Sequence, residues 1–180
     1  MSDTSRTTSA SLVFADRIDR LNGLIGRAVS WLCLLVVLIQ FAVVLMRYVL
    51  GLGSIWLTET IVYGHATMLM LAAAWTLREG GHVRVDIFYA DMGPRRRAVV
   101  DLGGALLLLL PFMLLLLWFT VPYVSRSWSI LETSRETSGL PAIYLLKTLI
   151  AAFAVLMTLQ GITQAIRAWR VLCNPTGTGL

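Results

Sequence analysis

Apolar residues are concentrated in four long stretches of the chain, and short polar segments separate them. The stretches cover about residues 28–50, 55–78, 99–124 and 140–166. Each exceeds the roughly 20 apolar residues that a helix needs to cross a bilayer core. Because backbone polar groups in lipid must be satisfied within the chain, the pattern predicts an all-α integral membrane protein with four transmembrane helices.

The segments around these spans indicate the domain organisation. We predict a transmembrane domain at 28–168 and a cytoplasmic tail at 169–180. In the N-terminal segment 1–27, the Ser/Thr-rich residues 1–11 predict a disordered N-terminus, and positions 12–27 mix apolar and charged residues at helical spacing. This predicts an N-terminal amphipathic interfacial helix, and a soluble extension of the first span is the alternative. Only residues 51–54 separate the first two spans, so we expect an antiparallel hairpin.

Composition and charge support the membrane interpretation and indicate an orientation. Hydrophobic residues make up 57% of the 180 and charged residues 14%, against about 25% charged in soluble domains. A net charge of +5 does not indicate nucleic acid here, because the basic residues flank apolar spans. Eleven of them fall on one predicted face and two on the other. The positive-inside rule therefore predicts that both termini are cytoplasmic, N-in/C-in.

Two kinds of residue at the predicted membrane boundaries are candidate lipid and topology anchors. Amphipathic aromatic rings favour the interface, and basic clusters favour anionic head groups. The candidates are Trp56, Trp128, Arg95, Arg96 and Arg97.

Charged residues inside the spans are the main candidate site. Arg47 and Glu59 each lie about one turn from the same end of neighbouring spans. A structural ion pair would reduce the free energy of holding these charges near lipid. The alternative is that both side chains extend independently to water. Lys147 in the fourth span could join the pair or extend to water itself.

The two histidines do not indicate a cofactor. His65 lies mid-span beside small residues, which favours a hydrogen bond to a neighbouring helix. His82 is 17 residues further on, about 25 Å along a helix, so the two cannot hold one haem. The run containing His82, Arg84 and Asp86 offers at most two metal ligands, too few for a protein-built site. We predict no cofactor, no metal and no enzyme activity.

Several short motifs occur in a fixed order along the chain. They are RYVLG at 47–51, Trp56 and Glu59, LREGGHVRVD at 77–86, GPRR at 93–96 and SGLP at 138–141. Together with four spans, this order resembles the small membrane subunit of TRAP (tripartite ATP-independent periplasmic) transporters, the DctQ-like family. The resemblance covers roughly residues 28–168.

The resemblance implies a scaffold subunit in the bacterial inner membrane. It implies a large membrane subunit that carries the substrate and sodium sites. It also implies a periplasmic substrate-binding protein that delivers an organic acid or similar solute. Membrane lipids are further expected partners. Candidate contacts with the large subunit are Lys147, His65, His82, Arg84 and Asp86.

Two other functions compete with this expectation. A self-sufficient four-span exporter is disfavoured because the first span lacks a carboxylate. A membrane anchor of a redox enzyme is disfavoured by the spacing of the histidines.

Overall fold

Helices account for every regular element in the part of the chain that the structure describes. A computed structural model describes residues 3–81, 89 and 91–173, with side chains from residue 12 onward. In chain order the elements are α1 (Asp3–Val49), α2 (Ile55–Arg78), α3 (Pro94–Gly103), a π-helical segment (Gly104–Leu109), α4 (Leu110–Ser129) and α5 (Ile143–Cys173).

Four helical stretches are long and apolar enough to cross a membrane. They are Leu12–Val49, Ile55–Arg78, Pro94–Ser129 and Ile143–Cys173. Large apolar side chains cover their outer faces; Trp118, for example, is 77% exposed. A soluble protein rarely exposes apolar surface on this scale. The predicted all-helical fold with four membrane-spanning helices is therefore confirmed.

The first helix is longer than expected. Helix α1 has 47 residues, about 70 Å at 1.5 Å per residue, whereas a bilayer core is about 30 Å thick. Residues 12–27 form its uninterrupted first half rather than a separate helix. This differs from the predicted organisation and corresponds to the alternative in which the segment extends the first span. The physical reason is that Asp19 and Asn22 are buried against the last helix.

Helices α1 and α2 form a hairpin around the turn at residues 50–54. Gly51 has φ +67°, a left-handed conformation that glycine adopts without strain. The hydroxyl of Ser54 accepts a hydrogen bond from the Leu57 amide and caps α2. A Cβ added to Gly64 would lie 2.7 Å from the Val36 side chain. The absence of a side chain at Gly64 therefore lets the two helices approach closely.

The third candidate span is interrupted by a π-helical segment instead of running as one regular α-helix. Gly104–Leu109 is π-helical and directly precedes α4, whose second residue is Pro111. Proline lacks an amide donor and its ring crowds the preceding turn. A π-helical segment is a known way to absorb such an irregularity within a helix.

Helix α5 lies at the centre of the fold. It packs on α1 and α2 on one side and on α3 and α4 on the other. Its buried face includes Ala154, Met157 and Gly161. Small side chains on this face permit close helix packing, which drives association where lipid weakens the hydrophobic effect.

Candidate functional site

Two ends of the fold carry its polar contacts. The hairpin end comprises the 50–54 turn, the loop at 130–142 and the adjoining helix ends. The terminal end comprises the first half of α1, the last turns of α5, the end of α2 and helix α3.

Glu59 organises the loop at the hairpin end. It projects from the second turn of α2, and its carboxylate accepts hydrogen bonds from the Ser134 hydroxyl and from the Leu140 amide. A Cβ on Gly139 would lie 2.5 Å from Ser134 Cβ and 2.7 Å from a Glu59 oxygen. Glycine at 139 therefore leaves room for the carboxylate to reach the loop, and Glu59 joins α2 to the connection between α4 and α5.

The structure does not bring Arg47 to Glu59. Arg47 is exposed near the end of α1, and no ion pair joins these residues within the described ranges. The predicted Arg47–Glu59 ion pair is therefore not formed in the structure. The physical reason is that a hydroxyl and a backbone amide from the 130–142 loop already satisfy the Glu59 carboxylate. The exposure of Arg47 agrees with the alternative that its side chain extends to water independently.

Lys147 has a different carboxylate partner. Its ammonium lies 2.5 Å from Glu132 Oε2 and 4.1 Å from the centroid of the Tyr123 ring. The Ser127 hydroxyl donates to the same Glu132 oxygen at 2.7 Å. The hydrogen bond from Lys147, then that from Ser127, lowers the pKa of the Glu132 carboxyl. This cluster ties α4 and the loop to the first turns of α5.

The two tryptophan anchors lie at the same hairpin end. Trp56 is exposed in the first turn of α2. Trp128 is partly exposed, and its indole nitrogen donates to the Thr148 hydroxyl at 2.9 Å. Its ring packs edge-on against Tyr144 with centroids 4.7 Å apart. Trp128 thus links α4 to α5 as well as presenting a ring to the surroundings.

A polar cluster at the terminal end was not predicted from the sequence. Gln160 of α5 accepts a hydrogen bond from the Asn22 amide at 2.7 Å and donates to Asp19 Oδ1 at 3.0 Å. Arg167 forms an ion pair with Asp19 and a longer contact of 3.5 Å to Asp16. Asp19, Asn22 and Gln160 are buried. The cluster therefore fixes the first half of α1 against the last helix.

A signal for this cluster was present in the sequence. Gln160 is a strongly polar residue in the last apolar span, and an amide inside a span needs a hydrogen-bonding partner. Asp19 and Asn22 are separated by three positions, which places them on one helix face. The separation of about 140 residues between the two sets hid their contact.

The three adjacent arginines on α3 have different environments. Arg95 and Arg96 are exposed. Arg97 is partly buried, donates from Nε to the Tyr89 carbonyl at 3.2 Å and stacks 5.3 Å from its ring centroid. The Tyr89 hydroxyl donates to Asp101 at 2.8 Å. Arg97 thus holds Tyr89 on α3, whereas Arg95 and Arg96 remain available as surface anchors.

Of the remaining candidate contacts with the large subunit, the structure describes one and leaves three outside the described residues. His65 is exposed midway along α2. Residues His82, Arg84 and Asp86 lie outside the described residues. Nowhere in the described ranges do three or more His, Cys, Asp or Glu side chains converge in a way that could hold a metal ion.

The polar contacts at both ends and the apolar outer faces define a class of protein. Most of the charged and amide groups named above join helices to one another, and the surfaces between the ends are largely apolar. This is a multi-pass integral membrane protein whose helices are fixed in position by polar contacts at each end.

Comparison with known families identifies this membrane protein further. Residues 36–171 match the family model described as "Tripartite ATP-independent periplasmic transporters, DctQ component". The match covers most of the chain, so the protein belongs to the DctQ family, and the resemblance noted from the sequence motifs is confirmed. The family is a transporter component, not an enzyme family, and works with a large membrane subunit and a periplasmic binding protein. No curated protein and no solved structure matches the chain.

Proposed function

We propose that the protein is the small permease subunit, with a scaffold role, of a sodium-coupled TRAP transporter in the bacterial inner membrane. In this proposal it partners a large transport subunit and a periplasmic substrate-binding protein for uptake of an organic acid or similar solute. Membership of the DctQ family over residues 36–171 carries the proposal.

The use of polar groups within the chain supports a scaffold role. Transport pathways in membrane proteins present ionisable groups to a water-filled cavity or to broken helices. Here the Gln160 amide is bonded to Asn22 and Asp19. Lys147 is bonded to Glu132. Groups committed to such contacts hold helices in place and leave ion and substrate binding to the large subunit.

We further propose that the terminal end faces the cytoplasm. The basic residues Arg20, Arg27, Arg78, Arg95 and Arg96 lie there, and the positive-inside rule relates such an excess to the cytoplasmic face. Reporter fusions at residues 90, 132 and 175 test this orientation. Periplasmic phosphatase activity is expected only at 132, and activity at 90 or 175 would contradict it.

The first half of α1 also has a place in this arrangement. Its exposed side chains include Val13, Phe14, Leu21 and Leu24. An exposed apolar face flanked by charges is typical of helices in contact with the membrane interface. We propose that this face contacts lipid at the cytoplasmic interface while the opposite face packs on α5.

Among the candidate contact residues that the structure describes, His65 is the best placed to contact the large subunit. It is exposed in the middle of α2, where an imidazole in lipid would lack a hydrogen-bonding partner. The exposure of this polar side chain in the middle of the helix favours a surface on α2 that receives a helix of the large subunit.

Purification and transport assays test the function. Coexpression with the large membrane subunit of the same transporter should give a complex of fixed stoichiometry in mild detergent. The complex and the binding protein, reconstituted together, should accumulate substrate under a sodium gradient, and the small subunit alone should not. Accumulation by the lone chain, or recovery of homodimers only, would contradict the proposal and favour the exporter.

A further inference from the structure

A basic cavity lies between α1 and α2 at the terminal end. Its volume is about 510 Å³, within the range of roughly 300–1,000 Å³ that small-molecule sites occupy. Arg20 and Arg27 of α1 and Arg78 of α2 line it, together with Trp75 and Glu79. Three guanidinium groups face one carboxylate, so positive charge is in excess and the cavity fits an anionic ligand.

The arginines keep most of their donors for such a ligand. Arg27 donates from Nε to the Gly23 carbonyl at 3.2 Å, which positions the side chain and leaves its terminal nitrogens. Arg78 makes a long contact of 3.6 Å to the neighbouring Glu79 carboxylate. A guanidinium carries five N–H donors in a planar fork that matches phosphate oxygens.

Two glycines of α1 shape the wall of the cavity. A Cβ on Gly23 would lie 2.6 Å from an Arg78 nitrogen, and a Cβ on Gly26 would lie 2.5 Å from the Trp75 ring. Both side chains of α2 therefore rest directly on the α1 backbone. This close approach brings Arg78 next to Arg20 and Arg27. These two arginines lie about two turns apart on one face of α1.

An apolar groove lies between the same two helices, closer to the middle of the span. It has a volume of about 410 Å³ and runs between Gly26–Cys33 of α1 and Met68–Thr76 of α2. Trp75 lines both the cavity and the groove. Residues 26 and 33 are about 10 Å apart along the helix axis, so the groove offers several carbon–carbon bond lengths of apolar surface to a chain.

We propose that the cavity and groove together bind one anionic phospholipid. The phosphodiester lies among Arg20, Arg27 and Arg78, and an acyl chain lies in the groove beyond Trp75. The observation that favours a lipid over a soluble anion is that Trp75 lines both the basic cavity and the apolar groove, because a free phosphate would use only the basic cavity. Basic pockets between transmembrane helices are established sites for anionic lipid head groups.

Binding of dioleoylphosphatidylglycerol to delipidated protein, followed by native mass spectrometry, tests the proposal. Each arginine near an anionic head group corresponds to about a fivefold change in affinity. The triple variant Arg20→Gln/Arg27→Gln/Arg78→Gln should therefore bind this lipid at least about tenfold more weakly. Dioleoylphosphatidylcholine should bind the unaltered protein at least about tenfold more weakly than phosphatidylglycerol does.

A matched variant separates the site from general charge. Arg17→Gln/Arg126→Gln/Arg135→Gln removes the same charge from exposed residues outside the cavity, and it should keep phosphatidylglycerol binding within about twofold. An equal loss in both triple variants, or equal affinity for the two lipids, would overturn the site.

Filling the groove provides an independent arm that leaves every arginine in place. Ala72 lines the groove, whereas Ala42 is exposed elsewhere on α1. Ala72→Phe should weaken phosphatidylglycerol binding at least about fivefold, and Ala42→Phe should not. If Ala72→Phe has no effect and inorganic phosphate competes as well as the lipid does, the cavity is a simple anion site and the lipid proposal is wrong. This arm also decides the question if the triple variant does not fold.

Discussion

The ion pair between Arg167 and Asp19 gives the sharpest test of how α1 is held against α5. The Asp19 side chain is 6% exposed and the Arg167 side chain 51% exposed. The substitution Arg167→Leu removes the guanidinium but keeps an apolar stem. Asp19 then retains one hydrogen bond, from Gln160 at 3.0 Å, and its charge has lost its counterion.

The expected magnitude follows from this asymmetry in burial. Removing one partner of a buried ion pair destabilises a protein by about 3–5 kcal/mol, because the remaining charge is buried and uncompensated. Water reaches the exposed side of this pair, so we expect the lower end, about 3 kcal/mol. Asp19→Asn keeps an acceptor for Gln160 and leaves Arg167 accessible to water, so it should lose only about 1 kcal/mol.

The double variant makes the reasoning refutable. Asp19→Asn/Arg167→Leu has no unpaired buried charge and should lose about 1–2 kcal/mol, less than the sum of the single losses. Equilibrium unfolding by SDS in mixed micelles, followed by tryptophan fluorescence, measures all three. The control Arg17→Leu removes an exposed arginine from α1, the helix that carries Asp19. Its free energy of unfolding should stay within about 0.5 kcal/mol of that of the unaltered protein. Additive losses, or an Arg167→Leu effect no larger than this control, would refute the ion pair as a tether.

Two further predictions concern the hairpin end. Gly139→Ala forces a Cβ against Ser134. It should lower the free energy of unfolding by about 1–3 kcal/mol and increase protease cleavage of the loop. The control Gly93→Ala, where a Cβ meets nothing within 4 Å, should do neither. The hydrogen bond from Lys147 lowers the pKa of the Glu132 carboxyl. The ionised Glu132 therefore stabilises the fold fully above the ordinary carboxyl pKa, and this stabilisation is lost as pH falls through the lowered pKa. Thermal melts should therefore show an acid-side loss of stability that Glu132→Gln reduces, and an unchanged pH profile in that variant would contradict the assignment.

The helices could be predicted from the sequence for a physical reason. A backbone in lipid has to satisfy its own polar groups, so a long apolar stretch allows little other than a helix. The residues 55–78 are an example, since α2 covers Ile55–Arg78. The continuity of α1 could not be predicted in the same way. Its charged positions at 16–20 are equally compatible with a surface helix, and only the contact with α5 distinguishes the two.

The partners of the charged residues could not be predicted from helical neighbours alone. The sequence placed Arg47 and Glu59 at the same end of adjacent helices, which favoured pairing. In the structure Glu59 bonds to residues 75 and 81 positions away in the loop before α5. A short irregular loop presents backbone amides and hydroxyls whose directions are set by its own turns, and the apolar pattern of the spans contains no information about these directions.

Placing polar contacts at both ends of a small membrane subunit has a mechanical consequence. Helices surrounded by lipid gain little from apolar burial, so packing of small residues and hydrogen bonds must define their relative positions. Gln160 and Arg167 hold α1 to α5 at the terminal end, and Lys147 and Glu132 hold α4 and the loop to α5 at the hairpin end. With α5 joined to its neighbours at both ends, the relative positions of the helices are defined by these contacts. This agrees with the scaffold role that we propose for the subunit beside the large membrane subunit.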